Sequence, residues 1–185
     1  MGKKGTLGVL YAFNGLFVFA VTMIVPIYAL FAQEIGADVF TVSALAATLL
    51  IARVFFTLIV RYFGDDAVEE AHLLLAGFLL RAFGWFLLIF IGSLEGLFIV
   101  QVILGLGESL GSPAFNALFA QHLKSGRYVS EYADWEIVSA VGASAGAVVG
   151  GYIVSQYGFK VLFFVMSMVA VVSFLGVYSK RRYLL

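Results

Sequence analysis

The segment Gln101-Val-Ile-Leu-Gly-Leu-Gly-Glu-Ser-Leu-Gly-Ser-Pro113 is the most informative stretch of this sequence. It is rich in glycine, lies within a long apolar run and carries one carboxylate, Glu108, near its middle. A charged side chain at that depth in a lipid bilayer costs about 2.5–3.5 kcal/mol. The helix that carries Glu108 must therefore turn it away from lipid, toward water, a partner cation or a bound ligand.

The composition indicates a polytopic membrane protein. Of the 185 residues, 63% are hydrophobic and 12% are charged, and the mean hydropathy is +1.05. Soluble domains carry about 25% charged residues. The chain has no cysteine, which excludes disulfides and thiolate metal sites. No metal-ligand spacing and no phosphate-binding loop is present, so we expect no metal and no cofactor, and the formal net charge of zero gives no indication of nucleic acid.

Six segments are long enough to cross a bilayer, which takes about 20 apolar residues. They predict an all-α protein with a single six-helix transmembrane domain over residues 1–185, with helices at about 6–31, 39–62, 72–92, 95–121, 132–156 and 158–179. The first run is too long for the apolar part of a cleavable signal peptide, which is about 7–15 residues. The sequence begins Met-Gly-Lys-Lys and ends in a basic tail, which we interpret as a complete product.

Basic residues predict that both termini are cytoplasmic, because cytoplasmic loops carry an excess of lysine and arginine. With the N-terminus inside, the outer side receives only Lys160, whereas eight basic residues fall on the inner side: Lys3, Lys4, Arg61, Lys124, Arg127, Lys180, Arg181 and Arg182.

Polar side chains share one face on the fourth and on the first segment. Helical spacing aligns Gln101, Ser112 and Phe115 with Glu108. Tyr11, Asn14 and Tyr28 lie on one face of the first segment. Such stripes on apolar helices are typical of cavity linings, although Asn14 would equally serve as a simple hydrogen-bonding group between helices.

Two arginines, Arg53 and Arg81, lie within the predicted helices and need partners, because an unpaired buried charge is costly. Arg81 lies between Gly77 and Gly84, so it should face protein, and its depth predicts a pair with Glu108. For Arg53, the candidates at matching depth are Asp134 and Glu136. Glu108 is then either a proton-coupling site or half of a structural ion pair, and as an acidic cavity residue it favours cations or protons.

The segment Gly64-Asp-Asp-Ala-Val-Glu-Glu-Ala-His72 is an inner loop with four carboxylates: Asp65, Asp66, Glu69 and Glu70. One interpretation is a solvated turn that caps the next helix. The other is a gate loop that pairs with bases elsewhere on the inner face.

The fifth segment carries glycine at every fourth position, at Gly142, Gly146 and Gly150, followed by Gly151. This pattern is typical of close contact, either between helices of one chain or between two copies.

Two stretches, Gly107-Glu-Ser-Leu-Gly111 and Gly142-Ala-Ser-Ala-Gly146, match the nucleophile pattern of serine hydrolases. Both lie within predicted helices, and the only histidines, His72 and His122, lie at the inner membrane edge. We therefore expect no enzymatic activity.

Taken together, the six helices and three motifs resemble one half of a major facilitator superfamily transporter. Gly146-Ala-Val-Val-Gly-Gly151 is similar to the G-P-x-x-G-G motif, with Ala147 in place of proline. Gln101-Val-Ile-Leu-Gly-Leu-Gly107 is similar to R-x-x-Q-G-x-G, with Gln101 and Leu104 replacing the arginine and the glutamine. In the loop motif G-x-x-x-D-R-x-G-R-K, Asp65 matches the aspartate, but Arg61 replaces the glycine and acidic residues stand where the family has bases.

The resemblance implies an inverted 3+3 repeat and a solute site between two halves. It also implies a homodimer that rebuilds a twelve-helix transporter, because the chain supplies six helices and is similar to short six-helix proteins of reduced-genome bacteria. The expected location is a prokaryotic inner membrane. In the family, the second and fifth helices contact the opposite half, here around Ser43–Ala47 and the Gly142–Gly151 face, whereas the first and fourth line the cavity and the third and sixth lie outside.

Three functional hypotheses follow. The first is a homodimeric secondary transporter of a small solute, working by alternating access and coupled to protons through Glu108. The second is a membrane assembly or sensor protein that does not transport. The third is a half that pairs with a different half-chain. The substrate itself does not follow from the sequence.

Overall fold

A computed structural model of the chain describes residues 3–67 and 69–180, with the backbone alone for Lys3, Lys4, Thr6 and residues 63–67. The described part is helical throughout, with connections of a few residues. The helices are α1 (Lys3–Thr22), α2 (Tyr28–Glu34), α3 (Val39–Ala67), α4 (Glu70–Leu88), α5 (Leu94–His122), α6 (Tyr128–Tyr157) and α7 (Phe159–Ser179).

Six candidate membrane spans result, as predicted. They cover Leu7–Glu34, Val39–Tyr62, Glu70–Leu88, Leu94–His122, Tyr128–Tyr157 and Phe159–Ser179. The protein is therefore an integral, multi-pass membrane protein. Because the number of spans is even, both ends of the described chain lie on one side of the bundle, which we call the terminal side.

The prediction of one continuous first helix is wrong. α1 ends at Thr22, a short 3-10 turn spans Val25–Ile27, and α2 begins at Tyr28. Pro26 lies in the turn, and proline has no N–H group to continue the helical ladder. In α5, by contrast, the helix continues through Pro113.

The helices pack in a definite order. α4 and α5 pack along each other, α7 lies against α4 and α1, α3 packs on α5, and α6 packs on α1. In the most apolar part of each span, 39–50% of the residues are buried for the first, third, fourth and sixth spans, but only 11% for α3 and α6. The second and fifth spans thus present most of their surface outside the bundle.

Glycines permit the closest helix contacts. A Cβ on Gly77 of α4 would lie 2.6 Å from the Cα of Gly111 on α5. One on Gly105 of α5 would lie 2.7 Å from the carbonyl oxygen of Leu49 on α3. Non-bonded carbons approach to about 3.5–4.0 Å, so only glycine allows these backbones to come so near. Both contacts hold α5 between its neighbours α4 and α3.

The glycine face of α6 packs within the chain. Gly142 and Gly146 lie against the α1 backbone at Gly15 and Phe19, Gly150 lies against the backbone of Met23 directly after α1, and Gly151 faces open space. The expectation that this face contacts a second copy is therefore wrong for the first three glycines, because α1 occupies it. The alternative interpretation, helix packing within one chain, fits the structure.

Candidate functional site

Two adjacent cavities lie along α1, α4 and α5, and Arg81 and Val21 line both. The cavity farther from the termini, the distal cavity, has a volume of about 380 Å³ and is lined by Val21, Ile24, Val25, Tyr28, Ala46, Leu49, Leu50, Arg81, Trp85, Leu88, Gln101, Leu104 and Glu108. The proximal cavity, nearer the termini, has a volume of about 340 Å³ and is lined by Asn14, Phe17, Val18, Val21, Thr22, Arg81, Gly111, Ser112, Phe115, Asn116 and Trp135.

Glu108 forms an ion pair with Arg53. The Arg53 Nη1 atom lies 2.9 Å from Oε1 of Glu108, and the two side chains are 43% and 27% exposed. The predicted Arg81–Glu108 pair and the predicted pairing of Arg53 with Asp134 or Glu136 are therefore wrong. Gly105, one turn before Glu108, brings the backbones of α3 and α5 together at Arg53, and this contact sets the partner.

Arg81 crosses from α4 over α5 toward α1. Its stem passes Gly107 and its guanidinium passes Gly111, where an added Cβ would lie 2.8 Å from Cγ and 2.7 Å from Nη2, respectively. The guanidinium lies 4.2 Å from the centre of the Phe17 ring, an attractive cation–π geometry. The expectation that Arg81 faces protein through small residues is thus correct, and the glycines that make its slot are those of the Gly107–Gly111 hydrolase-like pattern.

Arg81 has weak hydrogen-bonding partners. Within the described residues, its Nε donates to the carbonyl oxygen of Gly77 at 3.4 Å, and its terminal nitrogens have no acceptor. The charges that act on it are those of Glu108 and Arg53. Protein atoms surround Arg81, yet part of its surface stays accessible from the cavities. The guanidinium is therefore presented to both spaces.

Tyr28 and Gln101 close the distal end of the distal cavity. The Gln101 amide donates to the Tyr28 hydroxyl, which joins α5 to α2. Gln101 is 3% exposed, so this bond satisfies an amide that has little access to water. The break in the first span sets the start of α2 at Tyr28, so the turn at Pro26 contributes to the position of this hydroxyl.

The proximal cavity is lined by neutral polar groups around Arg81. Asn14 is 9% exposed and, among the described residues, its amide has no hydrogen-bond partner. Ser112 and Asn116 lie on the α5 wall, and the Trp135 ring of α6 packs against the Phe115 ring in a tilted arrangement, with 4.8 Å between ring centres. Asn14 thus lines a space that a ligand or water can occupy.

Tyr11 lies outside both cavities. Its hydroxyl donates to the carbonyl oxygen of Glu131 at 3.0 Å, and its ring stacks on Trp135. Glu131 in turn accepts from the backbone N–H of Lys124 at 2.8 Å and lies 3.4 Å from its Nζ. Tyr11 thus belongs to a structural contact between α1, α6 and the α5–α6 connection on the terminal side.

The acidic loop has local contacts where the structure describes it. Glu69 lies 3.3 Å from Nδ1 of His72, and Glu70 accepts from the Gln121 amide at 2.8 Å. The side chains of Asp65 and Asp66 lie outside the described residues. The contact of Glu70 joins the start of α4 to the end of α5, whereas that of Glu69 stays within the start of α4.

The cavity residues that escaped the sequence reasoning include Phe17, Thr22, Trp85 and Asn116. Asn116 lies eight positions after Glu108, a spacing that keeps it near the same helix face. Trp85 lies four positions after Arg81 on α4, and such neighbours share a face. The third span therefore lines the distal cavity, although the family resemblance placed it outside.

The sequence and the fold were compared with known protein families and solved structures. The profile of the Major Facilitator Superfamily matches residues 9–183. A crystal structure of the peptide transporter POT in complex with sulfate has a similar fold, with a TM-score of 0.81 at 18% sequence identity, over 96% of this chain and 38% of that chain. A mutant of that peptide transporter in complex with sulfate gives a TM-score of 0.80 at 18% identity, over 95% and 37% of the two chains.

Identity this low supports a common fold and carries no information on substrate. The chain spans less than two fifths of the length of these two transporters. Pairwise comparison with curated protein sequences gives no match. Because the family profile covers nearly all of the sequence, this chain belongs to the Major Facilitator Superfamily.

Proposed function

We propose that this chain is one half of a secondary transporter, which moves a small solute by alternating access as a homodimer. The observation that carries the proposal is the position of Arg53, Arg81 and Glu108 in the middle of an apolar helix bundle, beside two cavities. Ionisable residues at such a depth mark solute or ion pathways in membrane proteins. Both termini are cytoplasmic in this proposal, and the membrane is a prokaryotic inner membrane.

The homodimer is supported by the surface that α3 and α6 leave uncovered. Ala47 on α3 is exposed, and Val148 on α6 is 75% exposed, on the side opposite the glycines that contact α1. A two-fold axis along the membrane normal would set α3 of one copy beside α6 of the other and enclose the cavities between them. Parallel insertion of the copies follows from their shared charge bias.

Coupling to protons would operate through the Arg53–Glu108 pair, which links α3 to α5. Protonation of Glu108 removes the negative charge that holds Arg53, so it weakens the contact between these helices. Arg53, Arg81 and Tyr28 are the other charged or titratable groups around Glu108. Arginine and tyrosine have ordinary pKa values of about 10 or higher, so neither of these residue types changes charge between pH 5 and 8.

The transport test uses proteoliposomes with a pH gradient and a panel of labelled small solutes. We expect gradient-driven flux of at least one solute in the native protein and loss of the gradient dependence in Glu108→Gln. Glu95→Gln is the matched control, because Glu95 lies in the first turn of α5, at the opposite end of the span from the termini. Flux in Glu108→Gln that still follows the gradient would remove Glu108 from the coupling role.

The dimer test uses disulfide crosslinking. Because the sequence contains no cysteine, only the introduced cysteines can form disulfides. We expect the double variant Ala47→Cys/Val148→Cys to form crosslinked dimers in native membranes. The control, Ala47→Cys/Met168→Cys, carries its second cysteine at similar depth on α7, where Met168 is 42% exposed. Equal crosslinking in both variants, or none in the first together with monomers in native mass spectrometry, would contradict the homodimer.

A further inference from the structure

The charges around the two cavities do not balance. Glu108 is paired with Arg53, so these two charges cancel to first order. Arg81 then remains as a positive charge that no carboxylate contacts within the described residues. In the proximal cavity, Arg81 is the only charged residue of the lining. The acidic residue that suggested a cationic solute is thus already neutralised by the protein.

The hydrogen-bonding capacity of Arg81 is also left open. A guanidinium has five N–H donors, and within the described residues only Nε has an acceptor. No side-chain nitrogen or oxygen that is fully buried in the described structure lacks a partner, so the terminal nitrogens have access to the cavities. The Phe17 ring stabilises the charge from one side but accepts no strong hydrogen bond. Planar N–H pairs of this kind match carboxylate and phosphate oxygens.

We propose that the transported solute carries an anionic group of the carboxylate or phosphate type, which binds Arg81 where the two cavities meet. The inference rests on the proposed transport function and names its substrate class. The neutral amide of Asn14 and the hydroxyl of Ser112 are placed to bind polar parts of the solute in the proximal cavity. The mostly apolar lining of the distal cavity, with Val21, Leu49 and Trp85, would take its hydrocarbon part.

The same geometry predicts how Glu108 acts on the anion. When Glu108 is ionised, its charge opposes anion binding at Arg81, with which it interacts electrostatically. When Glu108 is protonated, the positive charges of Arg81 and Arg53 both remain without a counter-charge. Anion affinity should therefore rise when Glu108 loses its charge, and one proton would enter with the anion.

The test measures binding of three probes of similar size: cyclohexanecarboxylate, cyclohexanecarboxamide and cyclohexylammonium. Trp85 lines the distal cavity, and the Trp135→Phe background leaves it as the only tryptophan of the chain, so its fluorescence in detergent reports occupancy. We expect saturable binding, with affinity that falls from the carboxylate to the carboxamide to the ammonium probe. Arg81→Gln should weaken carboxylate binding about tenfold or more, the factor that corresponds to about 1.4 kcal/mol of lost charge interaction.

Glu108→Gln provides a second test, which does not depend on whether the Arg81→Gln variant folds, because it predicts a rise in carboxylate affinity. Carboxylate affinity should rise about tenfold, because one opposing charge is removed. Glu95→Gln is the matched control for net charge, since it also removes one negative charge and Glu95 is exposed in the first turn of α5, and it should leave all three affinities unchanged. Ammonium binding as tight as carboxylate binding, no saturable response to carboxylate, or equal carboxylate affinity in the native and Glu108→Gln proteins would each overturn the proposal.

The result also separates this inference from the proposed function. If carboxylate binds as expected but no solute of the panel crosses proteoliposomes, the anion site stands and the transport function fails. If a neutral or cationic solute is transported and carboxylate does not bind, transport stands and the anionic substrate class is wrong.

Discussion

The contact between α1 and α6 gives a sharp prediction, because two neighbouring glycines of α6 meet different surroundings. A methyl group on Gly150 would lie 2.7 Å from both the Cα and the carbonyl carbon of Met23 and would also meet the carbonyl oxygen of Met23. A methyl group on Gly151 would meet nothing within 4 Å. The two substitutions, Gly150→Ala and Gly151→Ala, are chemically identical and adjacent, so each controls for the other.

The expected change in the free energy of unfolding follows from the distances between the added methyl group and Met23. Carbon–carbon contacts relax to about 3.5–4.0 Å, so α1 and α6 must separate by about 1 Å to accept the methyl group of Gly150→Ala. Overpacking of this size costs about 1–3 kcal/mol. Replacing glycine in a helix returns about 0.8–1 kcal/mol. We therefore expect Gly150→Ala to lose up to about 2 kcal/mol and Gly151→Ala to gain up to about 1 kcal/mol.

The assay is reversible unfolding in mixed micelles, with the denaturing detergent fraction as the variable and helical circular dichroism as the signal. The two variants should differ by the overpacking cost, about 1–3 kcal/mol, at any protein concentration. Equal stability of the two variants would refute the contact between Gly150 and Met23. A loss in Gly150→Ala that disappears on dilution would instead assign this glycine face to an interface between copies.

Three further changes test the fold. Ser167→Ala should lower the free energy of unfolding by about 1 kcal/mol, because the buried Ser167 hydroxyl on α7 donates to the carbonyl oxygen of Ala82 on α4 at 3.1 Å. Ser173→Ala removes a hydrogen bond within α7 only, so it should lose less in the same unfolding assay. Tyr28→Phe should cost about 1–3 kcal/mol, because it leaves a buried amide without its partner. Hydrogen bonds from the side chain and from the backbone N–H of Thr41 lower the pKa of the Asp38 carboxyl. The stability that this carboxyl contributes is therefore present above its ordinary pKa of 3.8 and is lost as the pH falls through the lowered value. The difference between native protein and Asp38→Ala should therefore shrink at low pH.

The glycines of α5 determine both the close helix packing at the centre of the bundle and the positions of the cavity charges. Gly107 and Gly111 give Arg81 the slot through which it reaches Phe17, and Gly105 gives Arg53 the approach that lets it meet Glu108. Both arginines thus depend on glycines of the same helix, α5. A larger residue at any of these positions would move a charge as well as a helix, so we expect binding and stability to change together there.

Several features could be predicted from the sequence because they depend on local composition. The six spans follow from runs of apolar residues, since a backbone in lipid must satisfy its hydrogen bonds within each helix. The family followed from short motifs in the fourth and fifth segments, and the match over residues 9–183 confirms it. Helical spacing predicted that Gln101, Glu108 and Ser112 share one face of α5, and in the structure Gln101 and Glu108 line the distal cavity and Ser112 lines the proximal cavity.

The partners of the charges could not be predicted, because depth along a helix does not reveal which neighbour faces it. Matching by depth paired Arg81 with Glu108, but the approach of α3 to Gly105 brought Arg53 there instead. The same limit applied to the α6 glycines, whose spacing indicates a close contact but not the helix that makes it.

What the sequence alone determined is the set of membrane helices and the polar residues that cannot face lipid. These follow from the free energy of transfer of each residue, which depends on its type and little on its distant neighbours. What only the tertiary structure decided is which charges cancel. Ion pairing depends on distances of a few ångström between helices far apart in sequence, set here by the glycines of α5. The segment Gln101–Pro113 therefore carries an acid in its sequence, yet it helps to build a cavity whose unpaired charge is positive.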